Sequence, residues 1–195
     1  MKKIAITGGI GSGKSTVSEI IRDMGYTVVS ADKAYSELLL SEEFVKEICE
    51  LMKILPIEKD GRMTIDRKAL SAIVFSDKSQ LSRLNDFTHP RIMSEIFRRA
   101  KGVEPLFFAE VPLLFERGYE TEFDNVFIVR RRLDLRLSET MKRDGKTEAE
   151  VRKVIDNQFD YESNKCGNKS IIIENNGTID ELKKNVYAEV NALLQ

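Results

Sequence analysis

One histidine, His89, and two cysteines, Cys49 and Cys166, are all that 195 residues supply of the commonest soft metal ligands. Their spacing matches no zinc or iron–sulfur pattern, so a Cys/His metal centre is excluded and both thiols are expected to be free. Charge of one sign is also lacking: 31 Lys and Arg stand against 32 Asp and Glu, a formal net charge of -1. The overall basic footprint of a nucleic-acid binder is absent, and Arg130-Arg131-Arg132 is a local exception. No apolar stretch approaches the ~18 residues that cross a bilayer. The N-terminus opens directly into a strand-like segment instead of a signal peptide. Repeats, low-complexity tracts and linkers are missing as well. The expectation is a soluble, cytoplasmic protein with no nucleic-acid, membrane or obligate protein partner.

What the chain does have is concentrated near its start. Gly8-Gly9-Ile10-Gly11-Ser12-Gly13-Lys14-Ser15 fits the phosphate-binding pattern G-x-x-x-x-G-K-[ST]. The required context surrounds it: an apolar strand, Lys3–Thr7, and then a helix with Val17, Ile20, Ile21 and Met24 at helical spacing, stopping at Gly25. Glycines let a backbone turn its N–H groups inward as an anion nest, and the helix end adds its positive dipole. Lys14 then reaches the β- and γ-phosphates, Ser15 ligates Mg²⁺, and Thr16 is a further phosphate donor. This predicts a nucleotide with Mg²⁺, ATP being the first guess, and does not by itself say which reaction.

Apolar residues make up 42% of the chain, enough for one α/β domain with an added subdomain. Strand-like runs at Lys3–Thr7, Tyr26–Ser30, Leu106–Glu110, Asn125–Arg130 and Ser170–Glu174 alternate with helical patterns. They predict a doubly wound, five-stranded parallel sheet of the P-loop NTPase type. Between the second and third runs lies a mostly helical insertion, with apolar periodicity at Phe44, Val45, Ile48, Leu51 and Met52 and again at Leu70, Ile73 and Val74. This is where a helical acceptor-binding subdomain would sit. His89-Pro90 is expected to open a helix, with proline at its first position. Thr147-x-x-Glu150 and Thr178-x-x-Glu181 are capping boxes. The division expected within a single domain, 1–195, is a nucleotide-binding core of 1–31, 103–131 and 169–195, an acceptor-binding region of 32–102, and a lid region of 132–168.

The acidic and basic residues narrow the chemistry. Asp32 follows the second strand, so it projects from the sheet edge where ligands bind and could take the proton of an alcohol acceptor; the alternative is a helix N-cap. Glu110 closes the third strand, as a second acidic group on the Mg²⁺ side or as a solvated strand end. The segment Leu133–Gly145 reads as an arginine-bearing lid helix, with Arg136 and Arg143 near one face, or as a charged solvated helix.

Six blocks, in order, resemble the dephospho-coenzyme A kinase family: Thr7 to Thr16, Ala31-Asp32, His89-Pro90, Val111-Pro112-Leu113-Leu114-Phe115-Glu116, Met141-Lys142-Arg143-Asp144, and Glu174-Asn175-Asn176-Gly177. The Pro-Leu-Leu-Phe-Glu block is the most discriminating. The resemblance implies transfer of the ATP γ-phosphate to the ribose 3′-hydroxyl of dephospho-coenzyme A. It makes Asp32 the base, with Lys14 and Arg143 stabilising the moving phosphate. His89, Pro112, Leu113, Leu114 and Glu116 would adjoin the acceptor, and Asn175 and Gly177 the adenine. Glu139 departs from the family, many members of which carry a lid arginine there, so Arg136 or the Arg130–Arg132 run would supply that charge. Asn164–Asn168 replaces an Ala-Asp pair. A nucleoside monophosphate kinase would share the fold without the Pro-Leu-Leu-Phe-Glu block. A GTPase would carry Asn-Lys-x-Asp, and Asn164-Lys165-Cys166-Gly167 lacks the aspartate. A binding module without catalysis would have lost Asp32 or Lys14.

Overall fold

The computed structural model describes residues 1–163 and 167–195; Cys166 and the first residues of the Asn164–Asn168 stretch fall outside them. In chain order come β1 (Lys2–Thr7), α1 (Lys14–Asp23), β2 (Thr27–Ser30), α2 (Ala31–Leu38) and α3 (Glu42–Met52). Next are β3 (Pro56–Lys59), β4 (Arg62–Ile65), α4 (Arg67–Ser76), α5 (Lys78–Ala100), β5 (Leu106–Glu110) and β6 (Asn125–Arg130). The chain finishes with α6 (Leu133–Asp144), α7 (Glu148–Asp156), β7 (Ser170–Glu174) and α8 (Ile179–Ala192). Two compact units result, one of Met1–Val29 with Gly102–Gln195 and one of Ser30–Lys101.

The first unit is built on a five-stranded sheet of order β2-β5-β1-β6-β7, with β1 parallel to β5 and β6, and β6 parallel to β7. All five residues of β5 are buried, as expected of a parallel sheet, where both faces are covered and the polar alternation of a half-exposed strand disappears. Ile4, Ile6, Phe108, Phe127, Val129 and Ile173 pack with Val17, Ile20 and Ile21 of α1 and Leu182, Val186 and Val190 of α8. Each such side chain contributes about 1.5–3 kcal/mol on burial. The sheet therefore holds the loop between β1 and α1 on a rigid base. Both expected capping boxes form, at Thr147 with Glu150 and at Thr178 with Glu181.

The second unit is not wholly helical. Helices α2 to α5 surround Phe44, Val45, Ile48, Cys49, Met52, Ile65 and Leu84, but β3 and β4 form an antiparallel hairpin with Lys59 opposite Arg62. Its two-residue turn places Asp60 at φ 53 and Gly61 at φ 71, the left-handed pair that a hairpin of this length requires. A correction concerns Pro90, which lies inside α5 and does not start it. The helix begins at Lys78, capped by Asp77, whose side chain accepts from Ser79 N at 2.7 Å. Proline cannot donate to the Asp86 carbonyl, at a cost of about 3 kcal/mol. The buried stripe continues through it nonetheless, from Leu84 and Thr88 to Met93, Ile96 and Ala100. Arg91 Nη1 donates to Phe87 O at 3.0 Å, with its guanidinium 3.7 Å over the Phe87 ring.

Candidate active site

Helix α1 starts without a capping side chain and with no acidic residue in its first turn; Gly13, its N-cap, is left-handed. Its first N–H groups are thus not taken by the protein's own cap and are available to an anion. Lys14 folds back across the loop, Nζ donating to Gly8 O at 2.9 Å and Gly9 O at 3.1 Å. Ser12 N donates to Gly9 O at 3.2 Å, closing the turn. The Ser12 hydroxyl is buried with no partner among the described residues.

Ser15 and Glu110 are brought together. Ser15 Oγ donates to Glu110 Oε1 at 3.0 Å, and Ser18 Oγ to Glu110 Oε2 at 2.9 Å. Glu110 is only 8% exposed, so it is not a solvated strand end. Among the described residues no three His, Cys, Asp or Glu gather to hold a metal by themselves.

Helix α6 is solvated on one face and packs its other face against the loop. Arg136, Leu137 and Thr140 are buried in it. Arg136 Nε donates to Ile10 O at 2.9 Å, and a Cβ on Gly9 would run into the Arg136 guanidinium. Desolvation pulls the Arg136 pKa below the ordinary arginine value, with Glu162 acting against it. Arg143 is not in this cluster: its guanidinium grips Asp144, Nε to Oδ1 at 2.6 Å and Nη2 to Oδ2 at 3.0 Å, which raises its pKa, and Glu139 adds to the same effect. Asn175 reaches the loop from the end of β7, donating through Nδ2 to Ser12 O at 2.8 Å. Gly177 directly precedes the Thr178 cap of α8.

The Pro112–Glu116 block is tied to the segment after α7. Glu116 Oε1 accepts from Phe159 N at 3.0 Å, and Tyr161 OH donates to Pro112 O at 3.1 Å. Phe115 stacks on Phe159, centroids 4.6 Å apart. Leu113 is exposed while Leu114 is fully buried, so of the two only Leu113 offers surface that a ligand could touch. Arg130, Arg131, Arg132, Arg136, Phe159 and Asn176 are among the walls of a neighbouring cavity of about 520 Å³. Arg130 Nε donates to Tyr161 O at 2.7 Å, and Arg132 pairs with Asp134, Nη2 to Oδ2 at 2.6 Å.

In the helical unit Ser30 caps α2, accepting from Lys33 N at 3.4 Å. The cap role that was the alternative for Asp32 is therefore filled by Ser30. Asp32 is exposed in the first turn of α2, with no side-chain partner among the described residues. Helix α2 is fastened to α5 by the Glu37–Arg99 ion pair, and Arg99 also meets Glu95 at 2.7 Å. His89 sits half-buried in the middle of α5.

Sequence reasoning missed Ser18, Thr140, Gln158 and Tyr161. Ser18 lies one helical turn beyond Lys14 and Ser15 and could have been found from that spacing. Gln158 and Tyr161 follow a helix end with no local pattern to mark them.

The dephospho-CoA kinase family profile matches residues 2–181. A dephospho-CoA kinase of Corynebacterium glutamicum is 34% identical over 199 aligned positions, covering 97% of this chain and 100% of that one. A crystal structure from Thermus thermophilus superposes with a TM-score of 0.82 at 32% identity, covering 100% of this chain and 98% of the other. A dephospho-CoA kinase structure from Campylobacter jejuni gives 0.70 at 28% identity, over 98% and 96% of the two chains.

Proposed function

As the chain belongs to the dephospho-CoA kinase family, we propose that it acts through the residues just described on ATP and dephospho-CoA, in the cytoplasm, without nucleic acid, membrane or an obligate protein partner. It is a kinase that moves the γ-phosphate of ATP to the ribose 3′-hydroxyl of dephospho-CoA, yielding coenzyme A and ADP. The observation that carries the site assignment is the uncapped start of α1, with Lys14 folded over the loop carbonyls and Ser15 bonded to Glu110.

Loop N–H groups and Lys14 bind the donor phosphates and hold the γ-phosphorus for in-line attack. Ser15 and Glu110 form an all-oxygen pair, and so small a protein share suits Mg²⁺, which keeps several waters and phosphate oxygens as ligands. When bound, Mg²⁺ neutralises charge on the phosphates. Ser15 would hold the ion through its hydroxyl, with Glu110 orienting that hydroxyl. Asp32 accepts the proton of the 3′-hydroxyl. Arg143, which must leave Asp144 to do so, faces the charge that spreads over the transferring group, with α6, anchored to the loop through Arg136, and α7 as the lid that excludes water. His89, Pro112, Leu113 and Glu116 border the acceptor, and Asn175 and Gly177 the adenine.

The test is ADP release from Mg-ATP with dephospho-CoA beside AMP, CMP, UMP, adenosine and no acceptor. Stimulation confined to dephospho-CoA is expected; a higher rate with a nucleoside monophosphate would overturn the acceptor assignment.

A further inference from the structure

Ile10, at the tip of the phosphate loop, has both of its peptide groups engaged by side chains from more than 120 residues away: its N–H donates to Gln158 Oε1 at 2.9 Å and its C=O accepts from Arg136 Nε at 2.9 Å. Neither bond belongs to secondary structure. Gln158 is itself a fixed acceptor, because the segment around it is pinned on both sides. Asn157 N donates to Val154 O at 3.2 Å and Gln158 N to Ile155 O at 3.0 Å, closing the end of α7. Beyond it, Glu116 holds the Phe159 amide, Arg130 holds Tyr161 O, and Tyr161 OH, in a residue 4% exposed, lies 3.4 Å from Thr7 Oγ1 at the end of β1. Arg136 is 8% exposed and pairs with no carboxylate among the described residues. Burying a guanidinium against a neutral carbonyl carries a desolvation cost that no counter-charge there offsets.

We infer that Gln158 and Arg136 are positioning residues for ATP: together they clamp the Ile10 peptides and thereby hold the phosphate loop in its anion-binding conformation. The Ile10 amide is withheld from the phosphates, so the loop is braced from outside the nest while the neighbouring amides remain for the ligand. The two anchors come from the end of α7 and from α6, the elements of the lid region, so loop geometry and lid geometry are set by one contact. The inference rests on the reading of Gly8–Ser15 as the ATP site.

The experiment uses the full chain as wild type, Gln158→Leu, Arg136→Met, Arg136→Lys and the Gln158→Leu/Arg136→Met double variant, with Lys14→Ala as control. Mg-ATP affinity is read by calorimetry, KM for each substrate by steady-state kinetics, and Ile10 amide exchange by hydrogen–deuterium exchange. Gln158→Leu should weaken Mg-ATP binding and raise KM for ATP about three- to tenfold, the worth of one hydrogen bond. The KM for dephospho-CoA and exchange at Val186 and Val190 in α8 should not move. Ile10 exchange should quicken. Arg136→Lys, which keeps a donor, should recover part of what Arg136→Met loses, and the double variant should lose less than the product of the singles because both act on one residue. Unchanged ATP affinity or unchanged Ile10 exchange in Gln158→Leu would overturn the clamp, as would equal rises in both KM values with lost protection in α8. Wild-type ATP affinity in Lys14→Ala would instead overturn the loop as the nucleotide site, whatever Ile10 exchange shows.

Discussion

Ser15 and Glu110, 95 positions apart in the chain, are joined by a hydrogen bond of 3.0 Å at the edge of the phosphate loop, and Ser18 holds the other carboxylate oxygen at 2.9 Å. Glu110 thus links the end of β5 to the first turns of α1. If it orients Ser15 and the water around a phosphate-bound Mg²⁺, Glu110→Gln should lower turnover about 10–100-fold and raise the Mg²⁺ concentration for half-maximal rate. A Mg²⁺ titration of the rate checks this, and a wild-type Mg²⁺ curve would assign Glu110 to structure alone.

Asp32→Asn should reduce kcat by about 10²–10⁴-fold with little change in ATP affinity, since a proton acceptor acts in the transition state. The substitution is nearly isosteric, and Asp32 is not the cap of α2, so the fold should be unaffected. Steady-state kinetics with a melting curve distinguish lost chemistry from lost structure.

Legibility differed between the two units for physical reasons. The strands of the sheet carry continuous apolar runs bounded by turn residues, so three of the five sequence-derived spans coincide with β5, β6 and β7, and the other two shift by a residue at one end. The hairpin of β3 and β4 escaped notice because its strands are only four residues each and β3 is fully exposed; the alternation of Arg62–Ile65 and the Asp60-Gly61 turn were its only marks. Pro90 misled because proline at a helix start and proline tolerated in a packed helix look alike in sequence, and burial on both sides decided for the second. At the site, the place of the loop between β1 and α1 was readable because local pattern fixes it, whereas Glu110 was left open between two readings. Gln158 and Tyr161 act through long-range contacts that no short window contains.

Arg143 is 57% exposed and, among the described residues, paired only with its neighbour Asp144. Exposed pairs contribute about 0–1 kcal/mol, so Arg143→Ala should leave the melting temperature nearly unchanged. If Arg143 meets the transferring phosphate, kcat should still fall by about 10²-fold or more. Parallel kinetics and calorimetry decide.

Glu95 is bound by Arg98 first and also by Arg99, which hold its pKa at about 2 against an ordinary 4.5. Its contribution to stability is therefore complete above pH 4.5 and is lost as pH falls toward 2. Glu95→Gln should destabilise the protein by about 1 kcal/mol at pH 7, where the wild-type group is ionised. The gap between the two melting temperatures should close between pH 4.5 and 2; a gap that stayed constant across that range would remove the ion pair as its cause.

The most direct measurement is the position of the phosphate in the product made from Mg-ATP and dephospho-CoA, read by phosphorus-31 NMR through coupling to the ribose protons. A single new phosphomonoester coupled to H3′, formed about 10²–10⁴-fold more slowly by Asp32→Asn, is the predicted result. A phosphate at any other oxygen, or ADP formed without a phosphorylated acceptor, would contradict it.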